Sequence, residues 1–426
     1  MALAAAAYIA ILWWVFSTFL QQERPLAGAF PGSSDLTELA LTGLLAWAPA
    51  LGLSRSLRLP SETVVWSLYL LVYVPSIIVV DRLAGEDRLL PLGITLVGAM
   101  ALLELAQRIP RRSLFGGALS PRRHGIAILA IGVIGSLLLI QQFGLDLNPP
   151  PLDAVYDTRA AYKVALADHA LLGYLAPWLC YAVFPVLLSL GLRDRRFGLI
   201  AFGLAGEFLI YSITGFKSAV FVVLLVAAGH FAGRIVRAWR VDLRGWVVTV
   251  ILAAGVAVTG FLSAIRSPGL TTLFTDRLII VSGQLTAFYD DYFLRHPYFE
   301  LRDSILRILG PSPYGQATPP SIIGPAYGVA VYANASVWAD GIANFGLPGI
   351  IYFTVGLCGV LWILDAFTMH HDTAVLLGIG GIAGFVLCNT ALLTAILSGG
   401  LGLLVVLVAV GRGTPEVPVR SPPLPP

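Results

Sequence analysis

Long apolar runs alternate with short polar connections along most of the chain. A helix needs roughly 20 apolar residues to cross about 30 Å of hydrocarbon. The pattern predicts spans at residues 3–20, 36–53, 62–80, 89–106, 125–143, 170–192, 197–214, 218–233, 246–263, 347–364, 374–392 and 396–411. We therefore expect an all-α polytopic membrane protein with about twelve transmembrane helices, in which residues 1–412 form a single transmembrane domain.

The apolar runs at the two ends of the chain have features of their own. No basic residue precedes Arg24, so the first run is interpreted as a true span rather than a signal peptide. The last two predicted spans share one apolar stretch interrupted by Ser398-Gly399-Gly400, which predicts either a tight hairpin or a re-entrant segment. Residues 413–426 (GTPEVPVRSPPLPP) are proline-rich and are predicted to be a disordered tail.

Composition supports the membrane assignment. The 426 residues are 57% hydrophobic and only 12% charged, with a mean hydropathy of +0.83. A soluble domain of this composition would have too little polar surface to cover itself, which excludes a soluble enzyme and a nucleic-acid binder. The three cysteines lie in apolar runs without metal-site spacing, so they are interpreted as small core residues.

The distribution of basic residues predicts the orientation in the membrane. Alternate connections, together with the tail, hold sixteen of the 27 basic residues, so both termini are expected in the cytoplasm. The longest connections, residues 144–169 and 264–346, then lie on the outer side, where any chemistry is expected.

Arginine outnumbers lysine 25 to 2, and alanine and glycine are abundant, a bias typical of a GC-rich bacterial genome. The expected location is therefore a bacterial cytoplasmic membrane.

Two charged residues lie in or beside predicted spans. Lys217 follows Thr214-Gly215-Phe216 at the start of the eighth span, where an ammonium group beside a helix N-terminus can bind an anion. Alternatively, it is a lysine that snorkels to the interface. Glu207 lies near the middle of the seventh span, as a buried base, a proton relay or the partner of an arginine.

The connection at 264–346 contains two segments with helical apolar periodicity. Leu270–Ile279 and the segment after Pro297 are predicted to be helices lying on the membrane surface with their apolar sides down. Their polar sides carry Arg266, Arg277, Asp290, Asp291, Arg295, His296, Arg302, Asp303 and Arg307. The pairs Asp291–Arg295 and Asp303–Arg307 have the i,i+4 spacing of ordinary helix stabilisation, but arginines beside carboxylates would also suit a lipid-linked diphosphate.

A polar stretch precedes the tenth span. It contains Asn334, Trp338, Asp340 and Asn344, and the last two are one turn apart if the segment is helical. An aromatic residue beside an acid and amides is typical of sugar sites, whereas helix capping and turn chemistry around Gly346 are the structural alternative. The sequence lacks the DxD, GxSxG and HExxH motifs, so neither a metal nor another cofactor is expected.

Three stretches resemble oligosaccharide repeat-unit polymerases of the Wzy (O-antigen polymerase) family: residues 214–218, residues 292–297 and residues 333–346. The resemblance implies a fold of the membrane glycosyltransferase C type. It also implies transfer of a polyprenyl-diphosphate-linked glycan to a sugar hydroxyl on another lipid-linked repeat, without nucleotide or metal. In that interpretation Lys217, Arg266, Arg277 and Arg295 neutralise the diphosphate, and Asp291, His296 or Asp340 deprotonates the acceptor. Glu207, Arg302, Asn334, Trp338 and Asn344 are further pocket candidates.

Several other functions fit the same residues. A relative of the O-antigen ligases would transfer a finished glycan once, and another lipid-linked glycosyltransferase would use a polyprenyl-monophosphate sugar. A transporter or flippase of lipid-linked sugars also fits about twelve spans and Glu207. The expected partners are the lipid-linked donor and acceptor and membrane lipid, with a chain-length regulator as a further candidate and no nucleic acid.

Overall fold

The fold is that of a polytopic helical membrane protein, and the computed structural model describes most of it. The described residues are 1–20, 36–84, 86–114, 117–145, 148–151, 155–166, 170–265, 271–304, 306, 308, 310–328 and 336–412. The predicted disordered tail 413–426 and the candidate site residues Arg266 and Asn334 lie outside them. Within the described part the secondary structure is helical, and no strand is present.

In chain order the longer helices are α1 (Ala2–Leu20), α2 (Leu36–Trp47), α3 (Pro60–Asp81), α4 (Glu86–Gln107), α5 (Pro121–Phe143), α6 (Val155–Ala165), α7 (Leu172–Asp194), α8 (Phe197–Thr214), α9 (Ser218–Trp239), α10 (Gly245–Ala264), α11 (Thr271–Ile280 continued by Val281–Phe293), α12 (Pro319–Ala326), α13 (Val337–Thr368), α14 (Thr373–Asn389), α15 (Leu392–Ile396) and α16 (Leu401–Val410). Ten helical stretches in the described part are long and apolar enough to cross a membrane, with α15 and α16 counted together as Leu392–Val410. Two shorter apolar helices, Leu39–Leu51 and α14, correspond to the other predicted spans.

One end of the bundle collects the arginine-rich connections; we call it the arginine-rich end. The Leu57 amide donates to the Leu243 carbonyl over 2.7 Å, which joins the connection before α3 to that before α10. The Leu114 amide donates to the Ala366 carbonyl over 3.0 Å, which joins the connection after α4 to the end of α13. The predicted alternation of basic and less basic connections therefore corresponds to two physical ends of one bundle.

A buried ion pair holds the arginine-rich end together. The Asp365 side chain is fully buried and accepts hydrogen bonds from the Ser61 amide at 3.0 Å and the Ser61 hydroxyl at 2.6 Å. The Arg111 guanidinium forms an ion pair with the same carboxylate. The hydrogen bonds from Ser61 satisfy this buried carboxylate beyond the ion pair itself. Together these contacts join α3, α13 and the connection after α4 at one point.

Histidines cap the C-terminal end of α16. The last carbonyl groups of a helix have no partner within the helix. Here His124 contacts the Leu407 carbonyl at 2.7 Å and His371 contacts the Val408 carbonyl at 2.9 Å. The Ala118 and Leu119 amides both donate to the Val410 carbonyl over 2.9 Å. The last helix is thereby fixed to α5 and to the connection between α13 and α14.

The helix α13 folds back on itself near its start. Phe345 and Gly346 have non-helical backbone angles, and Gly346 has φ 65°. The Trp338 indole nitrogen donates to the Thr354 hydroxyl over 3.0 Å, whereas a straight helix would separate the two residues by about 24 Å. Residues 337–344 therefore form a short re-entrant limb that runs antiparallel to the beginning of the long limb.

Glycines allow this close return. A Cβ built on Gly341 would lie 2.6 Å from the Gly349 carbonyl oxygen, and one on Gly349 would lie 1.9 Å from the Gly341 carbonyl oxygen. Any larger residue at either position would push the two limbs apart. The polar stretch that was expected to lead straight into the tenth span is thus inserted into the bundle.

The long connection before α13 differs from the prediction in two places. The predicted surface helix Leu270–Ile279 is helical from Thr271 but continues as α11 to Phe293, where residues 283–290 are buried and the Ser76 and Thr286 hydroxyls hydrogen-bond at 3.1 Å between α3 and α11. The predicted surface helix after Pro297 is wrong over residues 298–304, which form turns with Glu300 and Leu301 at positive φ. Apolar periodicity alone does not distinguish a lipid-facing stripe from a protein-facing one.

The last two predicted spans form a tight hairpin, but the break lies elsewhere than expected. Thr390 and Ala391 connect α14 to α15. The Ser398-Gly399-Gly400 sequence interrupts the second arm, between α15 and α16, and Gly400 has φ 80°. The exposed Trp178 indole donates to the Leu397 carbonyl over 2.7 Å, which gives one carbonyl group of this interruption a partner.

Acidification should weaken the docking of α16. Burial, and after it the neighbouring His370 and Arg193, lower the pKa of His371 to about 4. The folded protein therefore keeps this imidazole neutral, whereas the unfolded chain binds a proton below about pH 6.5. The neutral imidazole therefore contributes its full stabilisation of the folded state above pH 6.5, and this stabilisation is lost as the pH falls towards 4. The free energy of unfolding should decrease by about 2 kcal/mol between pH 7.5 and pH 5.

The measurement is the thermal unfolding midpoint in detergent at the two pH values. His371→Gln, whose side chain can still donate a hydrogen bond but does not titrate, should show a smaller difference between the midpoints. His296→Gln, which changes an exposed imidazole at the other end of the bundle, is the control. An unchanged pH dependence in His371→Gln would contradict the assignment.

Candidate functional site

A cavity of about 260 Å³ lies at the end of the bundle opposite the arginine-rich end. Five chain segments meet around it: α11, the turn after Pro297, the start of α12, the re-entrant limb and the connection between α14 and α15. The lining residues are Tyr289, Leu301, Asp303, Ser304, Thr318, Pro319, Pro320, Asp340, Asn344, Thr390, Ala391, Leu393 and Thr394. Among the described residues, the charged groups of the lining are two carboxylates, and no arginine, lysine or histidine contributes.

Asp340 and Asn344 connect the re-entrant limb to two other segments. One Asp340 carboxylate oxygen accepts from the Leu392 amide at 3.2 Å and the other from the Asn344 side-chain nitrogen at 3.1 Å. The Asn344 side-chain oxygen accepts from the Leu301 amide at 2.6 Å. Each carboxylate oxygen has a second lone pair, so Asp340 can still accept a proton or a hydrogen bond from a molecule in the cavity.

The turn at residues 298–304 is shaped by these contacts. Glu300 and Leu301 have φ values of 53° and 65°, an uncommon conformation for residues with side chains. The Phe299 and Glu300 amides donate to the Ala343 and Asn344 carbonyls at 3.0 and 3.3 Å. Docking onto the end of the re-entrant limb thus orders this turn, which carries Asp303 and Ser304 to the cavity.

Residues 310–328 form a strap across the cavity, anchored by a tyrosine near each end. The Tyr314 hydroxyl donates to the Pro297 carbonyl over 2.7 Å, and its ring stacks on Phe299 with centroids 4.6 Å apart. At the other end, the Tyr327 ring stacks on Phe288 at 4.3 Å and its hydroxyl donates to the Asp291 carboxylate. Burial and this carboxylate raise the pKa of Tyr327, so the phenol stays protonated and donates.

The predicted residues at the end of α11 lie outside the cavity. Asp291 follows Tyr289 by two positions, about 200° around the helix, and therefore faces away from the cavity. It forms the expected i,i+4 ion pair with Arg295, whose side chain is 61% exposed. The exposed His296 ring stacks on Tyr292 with centroids 3.9 Å apart. None of these three predicted residues lines the cavity.

Asp290 has a different environment from Asp291, as their spacing predicts. It is buried and forms an ion pair with Arg88 of α4, with the Arg88 Nε donating over 2.8 Å. Burial raises the pKa of Asp290, and the guanidinium acts in the opposite direction. The pair joins the end of α11 to the start of α4 and does not form a carboxylate dyad with Asp291.

Lys217 lies at the same end of the bundle as the cavity. α9 runs antiparallel to α14, because Gly229 packs against Gly378 and the Phe221 ring stacks on Phe385 with centroids 6.0 Å apart. Continuing this pairing by one turn places Lys217 at the level of Asn389. The connection that follows Asn389 lines the cavity, and Lys217 lies at the same level along the bundle.

The other described candidates are more distant from the cavity or oriented away from it. Trp338 is fully buried in the core, with its ring edge-on to Tyr73. Arg277 is exposed and precedes Tyr289 by twelve residues on α11, about 18 Å along the helix. The Arg302 guanidinium forms an ion pair with Glu300 at 2.7 Å. Glu207 is buried within α8, where the Cys180 thiol of α7 adjoins it.

Sequence reasoning did not identify several residues that form the cavity. Asp303 was interpreted only as half of a helical ion pair, while Thr390 and Thr394 fell inside or next to predicted spans. The available signal was the run Asn344-Phe345-Gly346-Leu347-Pro348-Gly349, whose turn-forming residues interrupt an apolar segment. Interpreted as a chain reversal within the membrane, that run would have suggested a re-entrant limb carrying Asp340.

Loss of the Asn344 side chain should destabilise the cavity wall. Asn344→Ala removes the acceptor for the Leu301 amide and the donor to Asp340, so we expect unfolding to become easier by about 1–3 kcal/mol. Asn389→Ala is a matched control, because its exposed side chain bonds only within its own helix, to the Phe385 carbonyl at 2.9 Å. We expect the control to change stability by less than about 0.5 kcal/mol.

Both changes are measured as shifts in denaturant or thermal unfolding midpoints in the same detergent. Equal midpoints for the two variants would contradict the role assigned to Asn344.

Comparisons with known protein families, with curated proteins and with solved structures give no match for this chain. The assignment as an all-α polytopic membrane protein therefore rests on the helices themselves. Any statement about function depends on the chemistry of the cavity and its surroundings.

Proposed function

We propose that the protein is a membrane glycosyltransferase that polymerises polyprenyl-diphosphate-linked oligosaccharide repeat units. The observation that carries the proposal is the position of Asp340 in the wall of a polar cavity at the end opposite the arginine-rich connections. If those connections are cytoplasmic, as basic residues favour, the cavity opens towards the outer side of a bacterial cytoplasmic membrane. Lipid-linked repeats would reach it from that side.

The lining of the cavity suits the hydroxyl groups of a sugar. Side chains of Ser304, Thr318, Thr390 and Thr394 contribute hydroxyls, and Asn344 contributes an amide. These groups can both donate and accept hydrogen bonds, as sugar hydroxyls do. The absence of a basic group among the described lining residues argues that the cavity accommodates the acceptor sugar rather than the diphosphate.

Asp340 is the best-placed base among the three predicted alternatives. Asp291 is already bound by Arg295 and Tyr327, and His296 is exposed outside the cavity. In the proposed step the acceptor hydroxyl attacks the anomeric carbon of the donor as Asp340 takes its proton. The bond from that carbon to the diphosphate breaks, and polyprenyl diphosphate leaves with the electron pair.

The leaving diphosphate would lie beside Lys217. The helix pairing described above puts this residue at the cavity end of the bundle, and it precedes the first residue of α9. An ammonium group and a helix N-terminus both stabilise negative charge as it develops. Arg295, Arg277 and Arg266 remain candidates for steering the lipid headgroup at the membrane surface.

A transporter of lipid-linked sugars is the second candidate, and one observation favours it. The re-entrant limb of α13 and the interruption between α15 and α16 are discontinuous helices next to a polar cavity. Such helices form the substrate sites of many secondary transporters. Product analysis separates the two candidates, because a transporter moves the lipid unchanged.

The test is reconstitution of the purified protein with polyprenyl-diphosphate-linked repeat units in sealed vesicles. The polymerase should produce a ladder of chain lengths and release polyprenyl diphosphate. Asp340→Asn should lower the rate of polymer formation about a hundredfold or more, because it removes the base and keeps the size of the side chain. Asp291→Asn is the matched control and should lose less than about tenfold.

Each alternative has a distinct result. Intact lipid that crosses the vesicle membrane without a ladder would favour the transporter. A single transferred glycan would indicate a ligase-like enzyme. Full polymerisation by Asp340→Asn, with Asp291→Asn impaired, would reassign the base to α11.

A further inference from the structure

Glu207 is an acid held inside the bundle, in the interior of α8, where it is 3% exposed. Among the residues that the structure describes, neither of its carboxylate oxygens has a hydrogen-bond partner. α7 closes over this level of the helix: a Cβ added to the adjacent Gly206 would lie 2.4 Å from the Phe184 ring. The carboxyl group therefore lies among packed helices, away from bulk solvent.

The charge state of this group follows from its surroundings. An isolated carboxylate in an apolar interior is so unfavourable that the group takes up a proton instead. Burial without a hydrogen-bonded partner among the described residues therefore favours the carboxylic acid over the carboxylate at Glu207.

Protic side chains connect this acid with the cavity end of the bundle. The Cys180 thiol adjoins both the Glu207 carboxyl group and the Ser218 hydroxyl. The Tyr181 hydroxyl in turn donates to the Ser218 hydroxyl over 2.8 Å. Ser218 is the first residue of α9 and follows Lys217, so the series ends at the cavity end of the bundle.

A π-helical turn in α7 positions Cys180 and Tyr181. Cys180 and Tyr181 belong to a π-helical turn, Leu179–Val183, in the middle of an otherwise α-helical span. Single π-helical turns are frequent at functional sites. Here the turn holds one residue that adjoins Glu207 and the next residue that bonds to Ser218.

We propose that Glu207 is a membrane-embedded proton-binding site that exchanges its proton with the cavity end through Cys180, Ser218 and Tyr181. Each connecting group accepts one proton and releases another, so none changes its net charge when a proton passes. Loading converts the Glu207 carboxylate to the acid with a proton from water at the cavity end, and unloading is the reverse. The charged groups nearest the outer part of the series are Lys217, which precedes Ser218, and Arg159, which acts on Tyr181. Acidic groups inside membrane proteins commonly serve as proton sites.

The occupied site has a spectroscopic signature. Infrared spectra of the full-length protein in lipid nanodiscs at neutral pH should contain the carbonyl band of a protonated carboxyl group. The isosteric variant Glu207→Gln should lose the component of this band that Glu207 contributes. As a second measurement, dicyclohexylcarbodiimide, which reacts with protonated carboxyl groups in apolar surroundings, should modify Glu207 in a peptide identified by mass spectrometry. A spectrum unchanged in Glu207→Gln, together with an unmodified Glu207, would overturn the proposal.

The connecting groups are tested by the rate at which the same band shifts after transfer to deuterated water. Ser218→Ala and Cys180→Ala should each slow the shift about tenfold or more, because exchange must then await local opening of the bundle. Cys388→Ala removes another buried thiol, on α14, and should keep the wild-type rate. Unchanged rates in both Ser218→Ala and Cys180→Ala would exclude the route through these groups. None of these readouts depends on glycosyl transfer.

Discussion

Backbone amide and carbonyl groups inside an apolar bundle must be hydrogen-bonded, and this requirement organises the cavity end of the protein. Where chain segments break or reverse there, side chains of the re-entrant limb supply acceptors. Asp340 accepts from the Leu392 amide at the start of α15, and Asn344 accepts from the Leu301 amide in the turn after Pro297. The same two residues line the cavity. The polar groups that allow irregular backbone inside the bundle are therefore those available to a ligand.

Charge has a different setting at the arginine-rich end and in the wall of the cavity. At the arginine-rich end, the charges satisfy one another: Arg111 and Asp365 form a buried pair, and imidazoles cover the carbonyls that end α16. At the cavity end, Asp340 is held by neutral donors, and the described lining contains no cation. A carboxylate bound by neutral groups retains more proton affinity than one bound by a guanidinium. In this respect Asp340 differs from the ion-paired carboxylates of Asp290, Asp291 and Asp365.

Close helix packing depends on small residues in both the fold and the proposed proton site. Gly341 and Gly349 let the two limbs of α13 touch through their backbones, and Gly206 lets α8 lie against Phe184. Without a strong hydrophobic force between helices in lipid, such van der Waals contact is a main source of association. Gly206 is adjacent to Glu207, so this close contact lies beside the buried acid in α8.

The sequence by itself determined the membrane class and the approximate spans. A helix that crosses the hydrocarbon needs about 20 apolar residues in a row, and such a run is a local property of the sequence. It also predicted the Asp291–Arg295 pair, since i,i+4 neighbours meet on any helix. It did not determine which face of α11 contacts protein, nor that residues 337–344 turn back into the bundle. Asp340 meets Leu392 across 52 residues, and Asn344 meets Leu301 across 43. Such long-range contacts depend on how whole helices pack. Only the tertiary structure could therefore show that Asp340, alone of the three acids and histidines predicted as bases, lines the cavity together with Asp303.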